Sequence, residues 1–302
     1  MQESNSTRSE RRAIDIEQII PVVPPALPEV RVGRKIVSRR PNIAMSGALA
    51  SMTKPVDLTG RRKVILVVGR GKTGKTTTLR YLLEEALIAG RQLVIADADK
   101  TNPVLDQFVE GALSPPAYDD ATIAEWVVNT SFGAVDAGYD LVLDLGAGDS
   151  SLAHLIDVAP SFASELAQRG GALVALCTLG QSVDDLGPII TLRTAGFRPT
   201  ATALLLNQGI VTTSSAIGQE PFGGLLRHSA FAELLAQGAV PLILPKLHAA
   251  EAVESRRLFF QDALNGTGPA GVRPLGPFER LAVRDWLGAM QIALAPIESW
   301  LP

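Results

Sequence analysis

The feature that most constrains the fold is the glycine-rich stretch GRGKTGKTTT, which directly follows the apolar run KVILVV (63–68). It contains Gly69-x-x-x-x-Gly74-Lys75-Thr76, the spacing of a loop whose backbone N–H groups surround phosphate groups. Such a loop lies between a β-strand and a helix, because the helix N-terminus adds its dipole to the inward-pointing amides. A helix ending near Gly90 is predicted here by apolar residues at helical spacing, namely Leu79, Leu82, Leu83, Ala86 and Leu87.

The rest of the chain alternates short apolar runs with longer segments that suit helices. Further strands are predicted at 91–99, 140–145, 171–179, 202–207 and 240–245. Helices are predicted at 103–112, 119–136, 151–169, 184–195 and 229–237, and near the C-terminus a helical face is formed by Val283, Trp286, Leu287, Met290 and Leu294. Strands that alternate with helices form a parallel sheet with right-handed crossovers. The predicted fold class is therefore α/β, a mostly parallel sheet with helices on both faces.

The chain is predicted to divide at residue 60. Residues 1–60 contain PVVPPALPEV and no sustained apolar periodicity, which predicts a poorly ordered, proline-containing arm before a domain at 61–302. Residues 1–63 hold 12 Lys/Arg against 6 Asp/Glu, whereas the remainder is acidic. This asymmetry leaves two interpretations open, a solvated tail or an arm that meets DNA or another polyanion.

Composition excludes several classes of site. The single cysteine, Cys177, rules out an intramolecular disulfide and fits a reducing cytoplasm. The histidines are scattered without metal-ligand spacing, so no zinc site is expected. No apolar run approaches the roughly 20 residues of a membrane span, and the first residues lack the apolar region of a secretory signal. We therefore expect a cytoplasmic protein.

Within the glycine-rich loop, residue types suggest individual roles. Lys75 is expected to reach the β- and γ-phosphates of a nucleotide, and the Thr76 hydroxyl to ligate Mg²⁺. The glycines permit a close approach of backbone to phosphate that a side chain would block. The alternative, a strand–helix turn that matches by coincidence, is disfavoured because all fixed positions and both flanks agree.

Carboxylates follow two predicted strands at the edge where open α/β sheets bind ligands. Asp97 and Asp99 end the second strand, and their spacing suits one in the Mg²⁺ shell while the other orients an attacking water. Asp144 ends the next strand and is a metal-side carboxylate candidate, while Asp149 is a weaker candidate nearby. Aspartates at strand ends also serve simply as caps for the following segment, and that alternative stays open.

Taken together, these motifs resemble the MinD/ParA-type ATPases, which have a deviant Walker A loop and belong to the SIMIBI class of P-loop NTPases. The resemblance covers roughly 62–250. IADADKTNP is similar to the family's second motif, with Asp97, Asp99 and Asn102 in place. LVLDLGAGDS resembles its Walker B segment, with a loop like that of the TraL-type conjugation and mobilisation branch.

The resemblance implies roles for further residues. The family's signature lysine, which crosses a nucleotide-sandwich dimer, is replaced by Arg70, and Lys72 stands at a usual glycine. Whether Arg70 or Lys72 acts across a dimer stays open, as does a local ion pair with Asp99 or Asp149. Asn207 is implied to read adenine, unless it is only a turn residue, and Pro245 to pack on the base. The implied nucleotide-binding loop is Gly69, Arg70, Gly71, Lys72, Thr73, Gly74, Lys75, Thr76 and Thr77.

The function expected from the resemblance is an ATP-driven switch. ATP and Mg²⁺ are the implied cofactors, and GTP is disfavoured because no Asn-Lys-x-Asp-like motif follows the fifth strand. The switch would form an ATP-dependent homodimer, engage a protein partner or DNA, and serve plasmid partition, conjugative mobilisation or positioning of a complex. The expected catalytic residues are Lys75, Asp99 and Arg70, and the expected metal-binding residues are Thr76, Asp97 and Asp144. Alternatives are a small-molecule kinase or ATP-dependent ligase, and a scaffold that does not hydrolyse nucleotide.

Overall fold

The described part of the chain forms an α/β fold around a parallel sheet. The computed structural model describes residues 49, 52–99, 105, 111–146, 150–211 and 220–302. Within these ranges six strands form one sheet in the order β2-β3-β1-β4-β5-β6, with every neighbouring pair parallel. The strands are β1 (Arg62–Val68), β2 (Leu93–Asp97), β3 (Asp140–Asp144), β4 (Gly171–Leu179), β5 (Ala201–Asn207) and β6 (Val240–Leu244).

Helices connect these strands and continue to the C-terminus. They are α1 (Lys75–Ile88), α2 (Asp120–Asp136), α3 (Ser151–Val158), α4 (Phe162–Gln168), α5 (Gly187–Thr194), α6 (Gly223–Leu226), α7 (Ser229–Ala236), α8 (Ala250–Ser255), α9 (Phe260–Asn265) and α10 (Pro277–Leu294). Short 3₁₀ turns lie at Val183–Leu186, Gln208–Ile210 and Ala295–Trp300. The strands are nearly all buried, because helices cover both faces of the sheet.

Two apolar cores flank the sheet, and β1 shows how they divide. Its side chains alternate: Val64 and Leu66 face the core shared with α2, α3, α4, α5 and α7. Ile65 and Val67 face the core shared with α1, α9 and α10. Because successive side chains of a strand point to opposite faces, a continuous apolar run is required here. The predicted fold class and all six predicted strands are confirmed.

The helices differ from the sequence prediction in two ways. The helix expected at 151–169 is two helices, because Pro160 between α3 and α4 has no backbone N–H and cannot continue a helix. The helices α6, α8 and α9 were not predicted, since each has six residues or fewer and shows no sustained periodicity. The helix predicted at 103–112 lies outside the described residues except for Leu105, Gly111 and Ala112.

The predicted arm lies outside the described residues except for Leu49 and residues 52–60. Within that last stretch, Leu58 is fully buried and its N–H donates to Ser299 Oγ at 3.2 Å. Trp300 Nε1 donates to the Val56 carbonyl at 2.7 Å. Residues just before β1 thus pack on the C-terminal turn. The boundary of the arm at residue 60 stays a prediction.

A search of the described helices for a membrane-spanning segment found none that is both long and apolar enough.

We predict that Leu58→Ala lowers the free energy of unfolding by about 2–5 kcal/mol, because it removes a fully buried side chain and leaves a cavity. Val56→Ala is the matched control, since its side chain is 45% exposed, and should change stability by less than about 1 kcal/mol. Urea unfolding of the two variants measures both values. Equal losses would show that residues 52–60 do not belong to the folded core.

Candidate functional site

The glycine-rich loop joins β1 to α1 in the centre of the sheet. Gly74, at φ 97°, occupies the left-handed region just before α1 begins. A Cβ atom at this position would overlap the side-chain amide of Asn207. A Cβ atom at Gly69 would lie 2.7 Å from the carbonyl oxygen of Thr178 on β4. Both glycines are therefore required by close packing of the loop against β4 and β5.

Lys75 is the buried cation of the loop. Its side chain is almost fully enclosed, and Nζ donates to the carbonyl oxygens of Gly69 at 3.2 Å and Arg70 at 3.4 Å. Burial lowers the pKa of Lys75, while the carboxylates of Asp144 and then Asp99 oppose that shift. The ammonium therefore lies inside the curve of the loop and within electrostatic reach of two carboxylates. This is the placement expected for a phosphate-binding lysine.

Hydroxyl and amide groups fix the loop to the neighbouring strands. Thr73 Oγ1 lies 2.7 Å from both the Arg70 carbonyl and Thr178 Oγ1. Asn207 Nδ2 donates to the Thr73 carbonyl at 2.9 Å. These contacts hold the loop in shape from β4 and β5, so its amides need little reorganisation to receive an anion.

Asn207 has a second role in the turn that follows β5. Its Oδ1 accepts from the Gly209 N–H at 2.8 Å while its amide braces Thr73. Asn207 therefore acts as a turn residue, which is one of the two roles that the sequence left open. The side-chain amide of Asn207 has two N–H protons, and its oxygen has two lone pairs. One donor and one acceptor position therefore remain for hydrogen bonds to a nucleotide base. The reading of adenine by Asn207 stays a prediction.

The guanidinium group of Arg70 pairs with acidic residues of its own chain. Its Nη1 lies 3.3 Å from Asp185 Oδ1 and 3.8 Å from Asp184 Oδ2. Asp185 is nearly buried and also accepts from the Gly180 N–H at 2.9 Å, whereas Asp184 is exposed. The sequence suggested Asp99 or Asp149 as a local acid; the acids that the structure shows are Asp184 and Asp185, while Asp149 lies outside the described residues. The signal missed was the pair of aspartates shortly after the fourth strand.

Lys72 differs from Arg70 in both backbone and surroundings. It has φ 66°, a conformation that non-glycine residues adopt at a cost of about 1–2 kcal/mol. Its side chain is exposed, lines the nucleotide-sized cavity described below, and has no ion pair among the described residues. A strained residue with a solvent-facing cation beside the loop points to a use for the charge.

Three aspartates meet at the carboxyl ends of β2 and β3. Asp144 is buried, and burial raises its pKa while the N–H of Gly146, donating at 3.1 Å, opposes the shift. Asp99 lies against the same loop, because a Cβ atom on Gly146 would come within 2.9 Å of its carboxyl carbon. Asp97 is also buried, and its carboxylate accepts from backbone N–H groups of its own segment. Asn102 lies outside the described residues.

A cavity of about 400 Å³ extends from the loop toward the C-terminal helix. Near the loop it is lined by Lys72, Gly74, Lys75, Thr76 and Thr77. Asn207 adjoins the loop, and the lining continues with Leu244, Pro245, Leu247, Ala250, Glu254, Trp286 and Met290. The structure therefore brings Pro245 and Asn207 together with the loop, as the predicted site requires.

Trp286 and Met290 were missed as site residues. They share the helical face that the sequence assigned to core packing, and both are in fact buried in that core. Trp286 Nε1 also donates to the Pro245 carbonyl at 3.0 Å. Periodicity identifies such a face as buried but does not show that its edge lines a cavity.

These residues fit a magnesium nucleotide. Ligand cavities of about 300–1,000 Å³ suit molecules of this size. No group of three or more His, Cys, Asp or Glu side chains in the described ranges is arranged to hold a metal by itself. Mg²⁺ needs none, because it is usually held by one or two carboxylates together with phosphate oxygens and waters. Thr76 and Asp144 supply the hydroxyl and the buried carboxylate for such an arrangement.

Comparisons with known proteins leave the family open. The sequence matches no protein-family model, and a search of curated proteins found no match. Among solved structures it is similar to FlhF complexed with GMPPNP and Mg²⁺, at 14% identity and TM-score 0.39, covering 81% of this chain and 82% of that one.

Two further solved structures are of proteins named FtsY. Chloroplast FtsY from Physcomitrella patens has 15% identity and TM-score 0.42, covering 82% of this chain and 73% of that one. Signal recognition particle receptor FtsY from Elizabethkingia anophelis, in complex with GDP, has 18% identity and TM-score 0.38, covering 66% and 63%. Similarities at this level decide neither fold nor activity, so both rest on the strand order and the site itself.

We predict that Lys72→Gly is more stable than Lys72→Ala by about 1 kcal/mol, because only glycine adopts the positive φ without strain. Both variants lose the cation, so both should weaken nucleotide binding by similar factors. Urea unfolding and calorimetric titration with nucleotide separate the two effects. Equal stability of the two variants would contradict the strained backbone, and unchanged affinity in both would contradict a role of the charge.

Proposed function

We propose that this protein is a nucleotide-dependent switch that binds and hydrolyses ATP at the loop between β1 and α1. The observation that carries the proposal is the position of Lys75. Its buried ammonium lies inside the loop, opposite the carboxylates of Asp144 and Asp99, at one end of the 400 Å³ cavity. A buried cation is costly unless it meets negative charge, and the loop amides complete an anion-binding site around it.

Each residue of the site has a proposed task. Lys75 and the loop amides hold the β- and γ-phosphates, and Thr76 and Asp144 form the protein side of the Mg²⁺ shell. Mg²⁺, when bound, neutralises charge that develops on the phosphate oxygens. Asp99 orients the attacking water, since its carboxylate lies beside Gly146 and acts electrostatically on Lys75. Asn207, Pro245, Trp286 and Met290 surround the base.

The two loops that follow β2 and β3 are the proposed moving parts. They touch each other: the Ala98 N–H donates to the Asp144 carbonyl at 2.8 Å, and the Asp99 carboxylate lies against Gly146. Just before α3, Ser150 Oγ donates to Asp120 Oδ2, at the start of α2, at 2.6 Å. A change at the γ-phosphate would therefore reach α2 and α3 through these contacts.

Dimer formation on ATP is the proposed output. A sandwich in which Arg70 reaches the partner's phosphates requires Arg70 to leave Asp185 and Asp184, which hold it in the same chain here. An arginine that stabilises transition-state charge in this manner acts as an arginine finger. The proposed partners are a second copy, a protein cargo, and DNA through the basic residues before β1. Plasmid partition, conjugative mobilisation and positioning of a complex are the proposed settings.

One observation supports a second candidate, a small-molecule kinase or ATP-dependent ligase. A separate cavity of about 380 Å³ borders Gly69 and Gly146, where an acceptor could meet a γ-phosphate. Its described lining is apolar apart from the hydroxyls of Ser150 and Thr191, so it offers no general base. Release of inorganic phosphate without any acceptor would support the switch over this alternative.

The test of the switch is the solution mass of Asp99→Ala by light scattering, with Mg·ATP and with Mg·ADP. Removing this carboxylate should stop turnover while leaving the phosphate site intact, so the ATP state accumulates. We expect a dimer with ATP and a monomer with ADP. Lys75→Ala is the control, because it removes the phosphate clamp and should stay monomeric with both nucleotides.

A monomer in every condition, with ATP binding by Asp99→Ala shown separately, would contradict the dimeric switch and favour the small-molecule enzyme. Normal hydrolysis by Asp99→Ala would instead remove Asp99 from its proposed role. Normal hydrolysis by Lys75→Ala would refute the assignment of the loop itself.

A further inference from the structure

Leu113 lies beside the end of β2, sixteen residues after Asp97, the last residue of that strand. The Asp97 N–H donates to the Leu113 carbonyl, and the Leu113 N–H donates to the Ile95 carbonyl, both at 2.8 Å. Leu113 also forms a parallel bridge with Ala96. Of the segment between them, the structure describes Ala98, Asp99, Leu105, Gly111 and Ala112. Backbone hydrogen bonds therefore join Leu113 to the end of β2.

The carboxylate of Asp97 accepts hydrogen bonds from two backbone N–H groups that follow it in the chain. Its Oδ1 accepts from the Asp99 N–H at 2.9 Å, and its Oδ2 accepts from the Leu105 N–H at 3.1 Å. Asp97 is 2% exposed and Leu105 is fully buried. Hydrogen bonds to an ionised carboxylate are stronger than those between neutral groups, and backbone N–H donors are the usual compensation for a buried one. Each oxygen of Asp97 is thus engaged by a donor of its own segment.

Asp99 faces a different environment. Its carboxylate lies against Gly146 in the loop after β3, and it acts on the ammonium of Lys75 together with Asp144. The backbone N–H of this same residue is the group that Asp97 holds. The two aspartates of the Asp-x-Asp motif therefore act at different levels, one on the backbone and one at the site.

The structure assigns Asp97 as a positioning residue: its carboxylate fixes the backbone at Asp99 and Leu105, so that the Asp99 side chain stays beside Gly146. Thr76 and Asp144 then form the protein side of the metal shell without Asp97. This assignment rests on the proposed function, and it replaces the role in the Mg²⁺ shell that the sequence suggested for Asp97.

The test is Asp97→Asn, with Asp144→Asn as the control for loss of a metal-side carboxylate. Asparagine keeps the size of the side chain but offers one oxygen, so one of the two backbone donors loses its acceptor. We expect kcat to fall by about 10–100-fold while the Mg²⁺ concentration for half-maximal activity stays within about twofold. In Asp144→Asn that Mg²⁺ concentration should rise.

Amide hydrogen exchange in the nucleotide-free protein gives a readout that does not depend on turnover. The amide of Asp99 or Leu105 should exchange faster in Asp97→Asn than in the wild type, and neither should change in Asp99→Asn. A raised Mg²⁺ requirement in Asp97→Asn with unchanged exchange at both amides would overturn the assignment and return Asp97 to the metal.

A failure of this assignment can be distinguished from a failure of the proposed function. If the wild type neither binds Mg·ATP nor turns it over, the proposed function fails, and the exchange measurement alone still decides whether Asp97 holds the segment. If Asp97→Asn does not fold, the NMR signals of the side-chain carboxyl carbons in the wild type decide between the two roles of Asp97. They are compared before and after addition of Mg·ATP. The Asp144 signal should shift much more than that of Asp97; the reverse would overturn the assignment.

Discussion

The burial of one ammonium group, that of Lys75, is the constraint on which the rest of the site depends. A lysine in this environment must be surrounded by acceptors, and the carbonyls of Gly69 and Arg70 provide them in the nucleotide-free loop. The loop can curve around it only because Gly69 and Gly74 lack side chains. Thr73, bonded to Thr178 and Asn207, then ties the curve to β4 and β5. The loop is thus packed firmly against the sheet.

The order of the strands explains why the site residues converge. β1 lies in the middle of the sheet, with β3 and β2 on one side and β4, β5 and β6 on the other. Because all pairs are parallel, the carboxyl ends of the strands lie at one edge, where open α/β sheets bind ligands. Asp144 from one neighbour, Thr178 from the other and Asn207 from the strand beyond therefore surround the loop. The C-terminal helix completes the cavity with Trp286 and Met290.

Much of the fold and of the candidate site could be predicted from the sequence. The features that could not be predicted have one cause in common. Apolar runs predicted all six strands, and fixed spacing identified Lys75, Thr76 and the aspartates, since both are local properties of the chain. The pairing of Arg70 with Asp185 joins residues 115 positions apart, so no local pattern contains it. The same holds for Trp286, whose helical face showed burial but not the cavity at its edge. Pro160 was visible in the sequence, yet its division of one predicted helix into two was overlooked.

The most direct test of the central claim is calorimetric titration of the wild type and of Lys75→Ala with ATP and with GTP, each with and without Mg²⁺. GTP belongs in the experiment because the preference for ATP depends on the absence of an Asn-Lys-x-Asp-like motif after the fifth strand. The account predicts one saturable site per chain, strengthened by Mg²⁺, tighter for ATP than for GTP, and lost in Lys75→Ala. Failure of the wild type to bind either nucleotide, or equal binding by Lys75→Ala, would contradict it.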